Sequence, residues 1–189
     1  MDADAAGNLH LAGFFVEPPG SSSVARYDAA GARLWATPLT VGAGEALSGP
    51  LVAADSAGAV TVAATVRDLG TGNGDYLTIR YGGDGRELWR HRFAGRADPG
   101  QQDEVAALAI DGADGARVTG TSWNGYLSSG GTAKDIVMLR FAAGGAPALR
   151  PPSGLAAGAL SASQIRLQWF AGADVSAYSN TASARARRR

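Results

Sequence analysis

The chain has 189 residues, 46% of them hydrophobic, with 27 Gly and no Cys; this length allows one or two domains, and the lack of Cys excludes a disulfide framework, a thiolate metal site and a Cys nucleophile. Seventeen cationic and 17 acidic side chains cancel, but Arg185, Arg187, Arg188 and Arg189 supply four of the cations, so residues 1–184 hold 13 against 17, a mildly acidic body without the clustered basic face of a nucleic-acid binder. No run of about 18 apolar residues occurs, so no membrane-spanning helix is expected.

Met1 to Ala12 contain no basic region followed by an apolar stretch, so no secretory signal is visible. The first recurring phrase opens at Asp4, running through Gly7, Asn8, Leu9 and Leu11 to Gly13. It returns without a gap as Asp55, Gly58, Val60, Val62 and Ala64, and again from Asp111 through Asp114, Gly115, Ala116 and Val118 to Gly120. Two further elements follow in the same order. Arg26-Tyr27, Arg80-Tyr81 and Arg140-Phe141 each close a strand. Gly31 to Leu34-Trp35 matches Gly85 to Leu88-Trp89, and the third copy decays to Gly145 through Leu149. Repeats of this length made only of short strands indicate a propeller or solenoid.

Within each copy, Leu9/Leu11, Val60/Val62 and Ala116/Val118 alternate with His10, Thr61 and Arg117, the period-two pattern of a half-buried strand whose intervening residues face outward. Tyr76–Tyr81 and Ile136–Phe141 are apolar runs rich in β-formers. Ala30-Gly31 and Gly83-Asp84-Gly85 supply residues able to adopt the positive φ of tight hairpins. Val105–Ile110 reads as a strand leading into Asp111, whereas no such strand precedes Asp4, which places the first residue inside a repeat. The distance from Asp to Arg grows through the copies, and the growth is expected in one loop per copy, on one face of the array. Each complete copy is expected to hold four strands and the whole chain to be all-β.

Four antiparallel strands per repeat correspond to one propeller blade. The succession Asp-x-x-Gly-Asn-hydrophobic-x-hydrophobic-x-Gly, Asp-Tyr-x-x-hydrophobic-Arg-Tyr and Gly-x-x-Leu-Trp resembles bacterial β-propeller repeats of the SBBP type, over about residues 4–149. Copies lie near 4–39, 46–93 and 103–149. Ala59 in place of Asn and Ala64 in place of Gly depart from the pattern in the second copy, and the lost Trp at Leu149 marks the third copy as degraded. The resemblance implies a partial propeller of about three blades and a home in large secreted or surface-attached bacterial proteins. The Gly-x-x-Leu-Trp element is also similar to quinoprotein-type repeats, whose Trp docks neighbouring blades.

Residues 150–153, with Pro151 and Pro152, read as a linker. Beyond them Leu155 and the run Ser163, Ile165, Leu167, Trp169 are similar to the opening of a fibronectin type III domain, and 177–184 to its last strand. Such sandwiches need roughly 100 residues and seven strands, so 154–184 is expected to be an incomplete remnant that folds poorly alone, followed by the Arg-rich tail 185–189.

Residues that invite a chemical reading are better explained structurally. His10 and His91 lack a nucleophile partner. Gly120-Thr121-Ser122-Trp123-Asn124 lacks the final Gly of a nucleophile elbow. Gly70–Asp75 superficially suggests a phosphate loop, but no helix follows. Asp4, Asp55 and Asp111 bring too few oxygens for calcium and fit turns in which Asp bonds its own backbone. Trp35 and Trp89 fit packing anchors between blades. No catalytic, cofactor-binding or metal-ligating residue is assigned.

The expected role is therefore a non-catalytic interaction or adhesion module, extracellular or at the cell surface, presenting loops to protein or glycan. Two alternatives stand beside it: accessory domains of a secreted hydrolase whose catalytic part lies elsewhere, and a truncated product without function. Three blades leave unpaired edges, so a second copy completing the ring, or aggregation, is expected in solution.

Overall fold

Asp-initiated turns divide the chain into short strands. The computed structural model describes residues 1–15, 21–95, 101–126, 132–143, 153–161 and 164–170, and among these the only regular elements are strands. The first sheet comprises β1 (Asp2–Ala3), β2 (Leu9–Phe15), β3 (Ser21–Tyr27) and β4 (Arg33–Pro38) in sequential order. The second repeats the arrangement with β5 (Glu45–Ala54), β6 (Val60–Asp68), β7 (Gly74–Tyr81) and β8 (Glu87–Phe93). The third holds β9 (Glu104–Ile110), β10 (Ala116–Tyr126) and β11 (Thr132–Phe141). Every pairing in these sheets is antiparallel between consecutive strands, and no sheet closes on itself.

The chain divides into two units, Met1–Ala146 and Pro147–Arg189. In the second, β12 (Ser153–Ser161) and β13 (Gln164–Phe170) form an antiparallel pair, with Ala157 opposite Leu167. The strand expected at 177–184 and the tail 185–189 lie outside the described residues, as does the third copy's Gly145–Leu149.

One expectation about the repeat needs correction. A strand does precede Asp4: Asp2 and Ala3 pair with His10 and Leu9. The paired strands are longer in the later sheets: β2 and β3 have seven residues each, β6 and β7 nine and eight, and β10 and β11 11 and 10.

The second sheet is covered on both faces. Towards the first sheet, Val60, Val62, Val66, Ile79 and Tyr81 pack with Val24 and Leu39. Towards the third, Ala63 and Tyr76 pack with Ala116, Val118, Leu139 and Phe141. Every residue from Val60 to Val66 is consequently buried. This overturns the half-buried reading of the alternation: Thr61 and His10, expected to face outward, are both fully buried. For Thr61 the reason is burial on two faces, which removes the polar-out constraint that period two implies; His10 shares its strand face with Ala12, which packs into the core between the first and second sheets.

Candidate functional site

The recurring Asp and the recurring Arg are partners. In each copy the Asp sits in the turn that directly precedes β2, β6 or β10, and the Arg lies near the end of the strand after that, β3, β7 or β11. Asp4 Oδ1 accepts from the backbone N–H of Ala6 and Asn8, at 3.0 and 2.9 Å, while Oδ2 accepts from Arg26 Nη2 at 3.0 Å and lies 3.2 Å from His10 Nε2. Asp55 repeats this: Oδ1 takes Ala57 and Ala59 N–H, and Oδ2 pairs with Arg80, whose other Nη donates to Thr61 Oγ1. Asp111 Oδ1 accepts from Ala113 and Gly115, and Oδ2 faces Arg117 at 3.2 Å and Arg140 at 3.6 Å. One carboxylate thus closes its own turn and ties it to the next-but-one strand segment.

The three clamps differ in burial. Asp55 and Arg80 side chains are each 3% exposed, whereas Arg117 and Arg140 are 41% and 44% exposed. Burial pushes the Asp4 carboxyl up, but hydrogen bonds from the Asn8 side chain and backbone, His10 and Ala6 outweigh it and hold the group well below the usual carboxylate range. Backbone N–H groups of Gly115 and Ala113 likewise lower Asp111, helped by Arg117 and Arg140. With one oxygen occupied by N–H donors and the other by a cation, these carboxylates suit a turn rather than calcium. Among the described residues no group of three or more His, Cys, Asp or Glu converges on a metal position.

Trp35 and Trp89 lie between sheets. Trp35 Nε1 donates to Gly83 O at 2.9 Å, a carbonyl that also accepts from Arg26 Nη1 at 3.1 Å. Its ring lies over Gly85, where an added Cβ would come within 2.6 Å of it. Trp89 stacks on Phe141 of the third sheet, with centroids 5.2 Å apart. Each Trp therefore rests on the copy that follows its own.

The other residues considered from sequence are likewise structural. His91, on β8, contacts the Phe141 ring edge-on at 5.5 Å, and burial lowers its pKa. Ser122 is buried on β10. In the Gly70–Asp75 segment, Asp68 Oδ1 accepts from the N–H groups of Gly70 and Thr71 at 2.8 and 2.7 Å. The donors a phosphate would need are already taken by a carboxylate.

An open site that the sequence did not reveal lies beside this segment. A cavity of about 290 Å³ has Val41, Val66 and Leu77 as apolar wall and Thr40, Glu45, Arg90 and Arg92 as polar lining. Arg92 is held by Glu45 Oε1 at 2.6 Å and Asp75 Oδ2 at 2.7 Å. Arg90 is held by both oxygens of Glu87, at 2.8 and 2.7 Å, and by Thr40 O at 2.9 Å. Arg92 lowers the pKa of Glu45, with Gly42 N–H assisting, and Arg90 lowers that of Glu87. Both guanidinium groups are thereby fixed in place and charged, beside an apolar surface. The lining comes from the β4–β5 connection and from β5, β6, β7 and β8, so no local motif announces it. By contrast, the Asp–Arg clamps left a readable signal, the joint recurrence of the two residue types.

Compared with known proteins, the chain matches no protein-family model and no curated protein.

Proposed function

We propose that the chain is a non-catalytic interaction module built from propeller-type blades, of the kind found in secreted or surface-attached bacterial proteins, and that it binds protein or glycan at the cavity lined by Arg90 and Arg92. The blade reading draws on the sequence resemblance and on three successive antiparallel meanders whose Trp35 and Trp89 dock onto the following sheet. The observation that carries the binding role is the immobilised rim. Arg90 and Arg92 are each tied by two or more hydrogen bonds before any ligand arrives, which lowers the ordering cost of binding. An apolar wall beside fixed polar groups is the composition of a recognition pocket, and the volume lies near the lower end of the roughly 300–1,000 Å³ typical of such sites. That size suits one side chain or one sugar ring. The buried charged groups support a binding role over catalysis, because Asp55, Arg80 and Asp103 are engaged in holding turns and strands.

The test is a glycan and peptide array probed with the full chain, followed by titration of the hits by calorimetry. Saturable binding that falls roughly tenfold or more in Arg92→Ala, with Arg33→Ala unchanged, is the expected result. Binding indifferent to Arg92, or turnover of any hit, would overturn the reading.

A further inference from the structure

The third sheet presents an outward face that its two predecessors bury. Register places Ile136 opposite Thr121 and Arg140 opposite Arg117, with Thr119 between these rows. In the second sheet the same places are held by Tyr76 opposite Thr65 and Arg80 opposite Thr61, with Ala63 between. All five of those residues are 0–5% exposed because the third sheet covers them. Ile136, by contrast, is 83% exposed.

The first sheet leaves the opposite face partly exposed among the described residues. Leu9, Leu11 and Tyr27 occupy the places of Val60, Val62 and Tyr81, and of Ala116, Val118 and Phe141. The six later residues are 0–2% exposed, packed on the preceding sheet, while Leu9 is 39% exposed and Leu11 and Tyr27 are half-buried. One chain thus carries both halves of an interface that it already builds twice internally.

Charge agrees with the match. In the first junction, Arg26 donates to the carbonyl of Gly83 in the β7–β8 turn. The equivalent of Gly83 in the first sheet is Ala29, and the residue before it, Gly82 in the second copy, is Asp28 here. An Arg140 guanidinium seated on this turn would therefore meet a carbonyl with a carboxylate beside it, opposite to the exposed Arg117–Arg140 pair.

We propose that the outward face of the third sheet binds the outward face of the first sheet in a second copy of this chain, head to tail. The inference rests on the stacking of the sheets and is independent of what the cavity binds. Such a contact is heterologous: two copies close if the rotation permits, and otherwise a chain of copies grows.

The test is analytical ultracentrifugation of the full chain and of two variants, without ligand. Ile136→Lys places an unpaired charge on one face and Leu9→Lys on the other. Wild type at about 100 μM, enough to populate a complex of micromolar Kd, is expected to contain pairs of twice the 19.1 kDa chain mass or larger head-to-tail species. Each variant alone is expected to associate at least tenfold more weakly, with an unchanged circular dichroism spectrum. Mixed in equal amounts, the variants retain one intact face each and should form a pair that stops at two chains. A monomeric wild type, association insensitive to both variants, or a mixture that stays monomeric would each overturn the proposal. None of these results would alter the ligand titration at Arg92, so the two readings fail separately.

Discussion

The clamp carboxylates show how one residue type can carry different energetic weight in successive copies. Asp55 faces Arg80 with both side chains 3% exposed, and Arg80 Nε has no hydrogen-bond partner. Asp55→Asn keeps an oxygen for the Ala57 and Ala59 N–H groups but removes the charge, leaving the guanidinium buried and uncompensated. A loss of about 3–5 kcal/mol is expected. Asp111→Asn, beside two Arg that are over two-fifths exposed, should cost much less, because solvent screens the pair. Urea midpoints of the two variants measure the difference, and equal losses would contradict this ranking. Asp4 adds a pH dependence. Its folded pKa lies below the ordinary 3.8, so its contribution is present above pH 3.8 and is lost as the pH falls through the folded value. Asp4→Asn should flatten the acid limb of stability below that pH, as followed by thermal melts from pH 2 to 6.

At the scale of the element, the turns matter more than strand propensity. The turn position after Asp requires a positive φ, met by Gly7 at 79°, Gly58 at 77° and, without glycine, by Asp114 at 58°. Asp114 is held there by its bonds to Ser56 N and Oγ in the preceding copy, at 3.1 and 2.9 Å. The β3–β4 and β7–β8 turns allow a controlled comparison. Gly31 and Gly85 have φ of 85° and 80°, but a Cβ on Gly31 would meet nothing within 4 Å, whereas one on Gly85 would strike Trp35. Gly31→Ala should cost about 1–2 kcal/mol for the left-handed backbone. Gly85→Ala should cost a further 1–3 kcal/mol or so, because the indole has to move. Chemical denaturation of both variants isolates the docking of Trp35, and equal losses would mean that it contributes nothing. His91 brings a second pH effect. Burial lowers its folded pKa below the ordinary 6.5, so stability is complete above pH 6.5 and declines as the pH falls from there towards the folded value.

At the scale of the whole molecule, stability is expected to be greatest in the middle sheet. Packed sheets stabilise their neighbours, and among the described residues of Met1–Ala146 the second sheet has a neighbour on both faces. Tyr81 illustrates the depth of burial, which pushes its hydroxyl pKa up to about 12. Hydrogen exchange followed by mass spectrometry should show β6 and β7 as the slowest segments and β1, β4 and β9 as faster. Slowest exchange in the first sheet would contradict the neighbour argument.

The all-β character, the Asp-opened turns and the glycine positions were legible in the sequence, because turn chemistry and β-forming runs are local properties. The pairing of Asp4 with Arg26 and of Asp55 with Arg80 was present there only as two separate recurrences. Connecting them required the register that brings residues more than twenty apart onto adjacent strands. The burial of Thr61 was misread because alternation cannot count a second covering sheet, and that of His10 because alternation does not say which face of a strand is the covered one. The cavity beside Arg90 and Arg92 had no sequence signature at all. Its wall and rim come from separate strands and one connection, and only the packing of sheet on sheet brings them together.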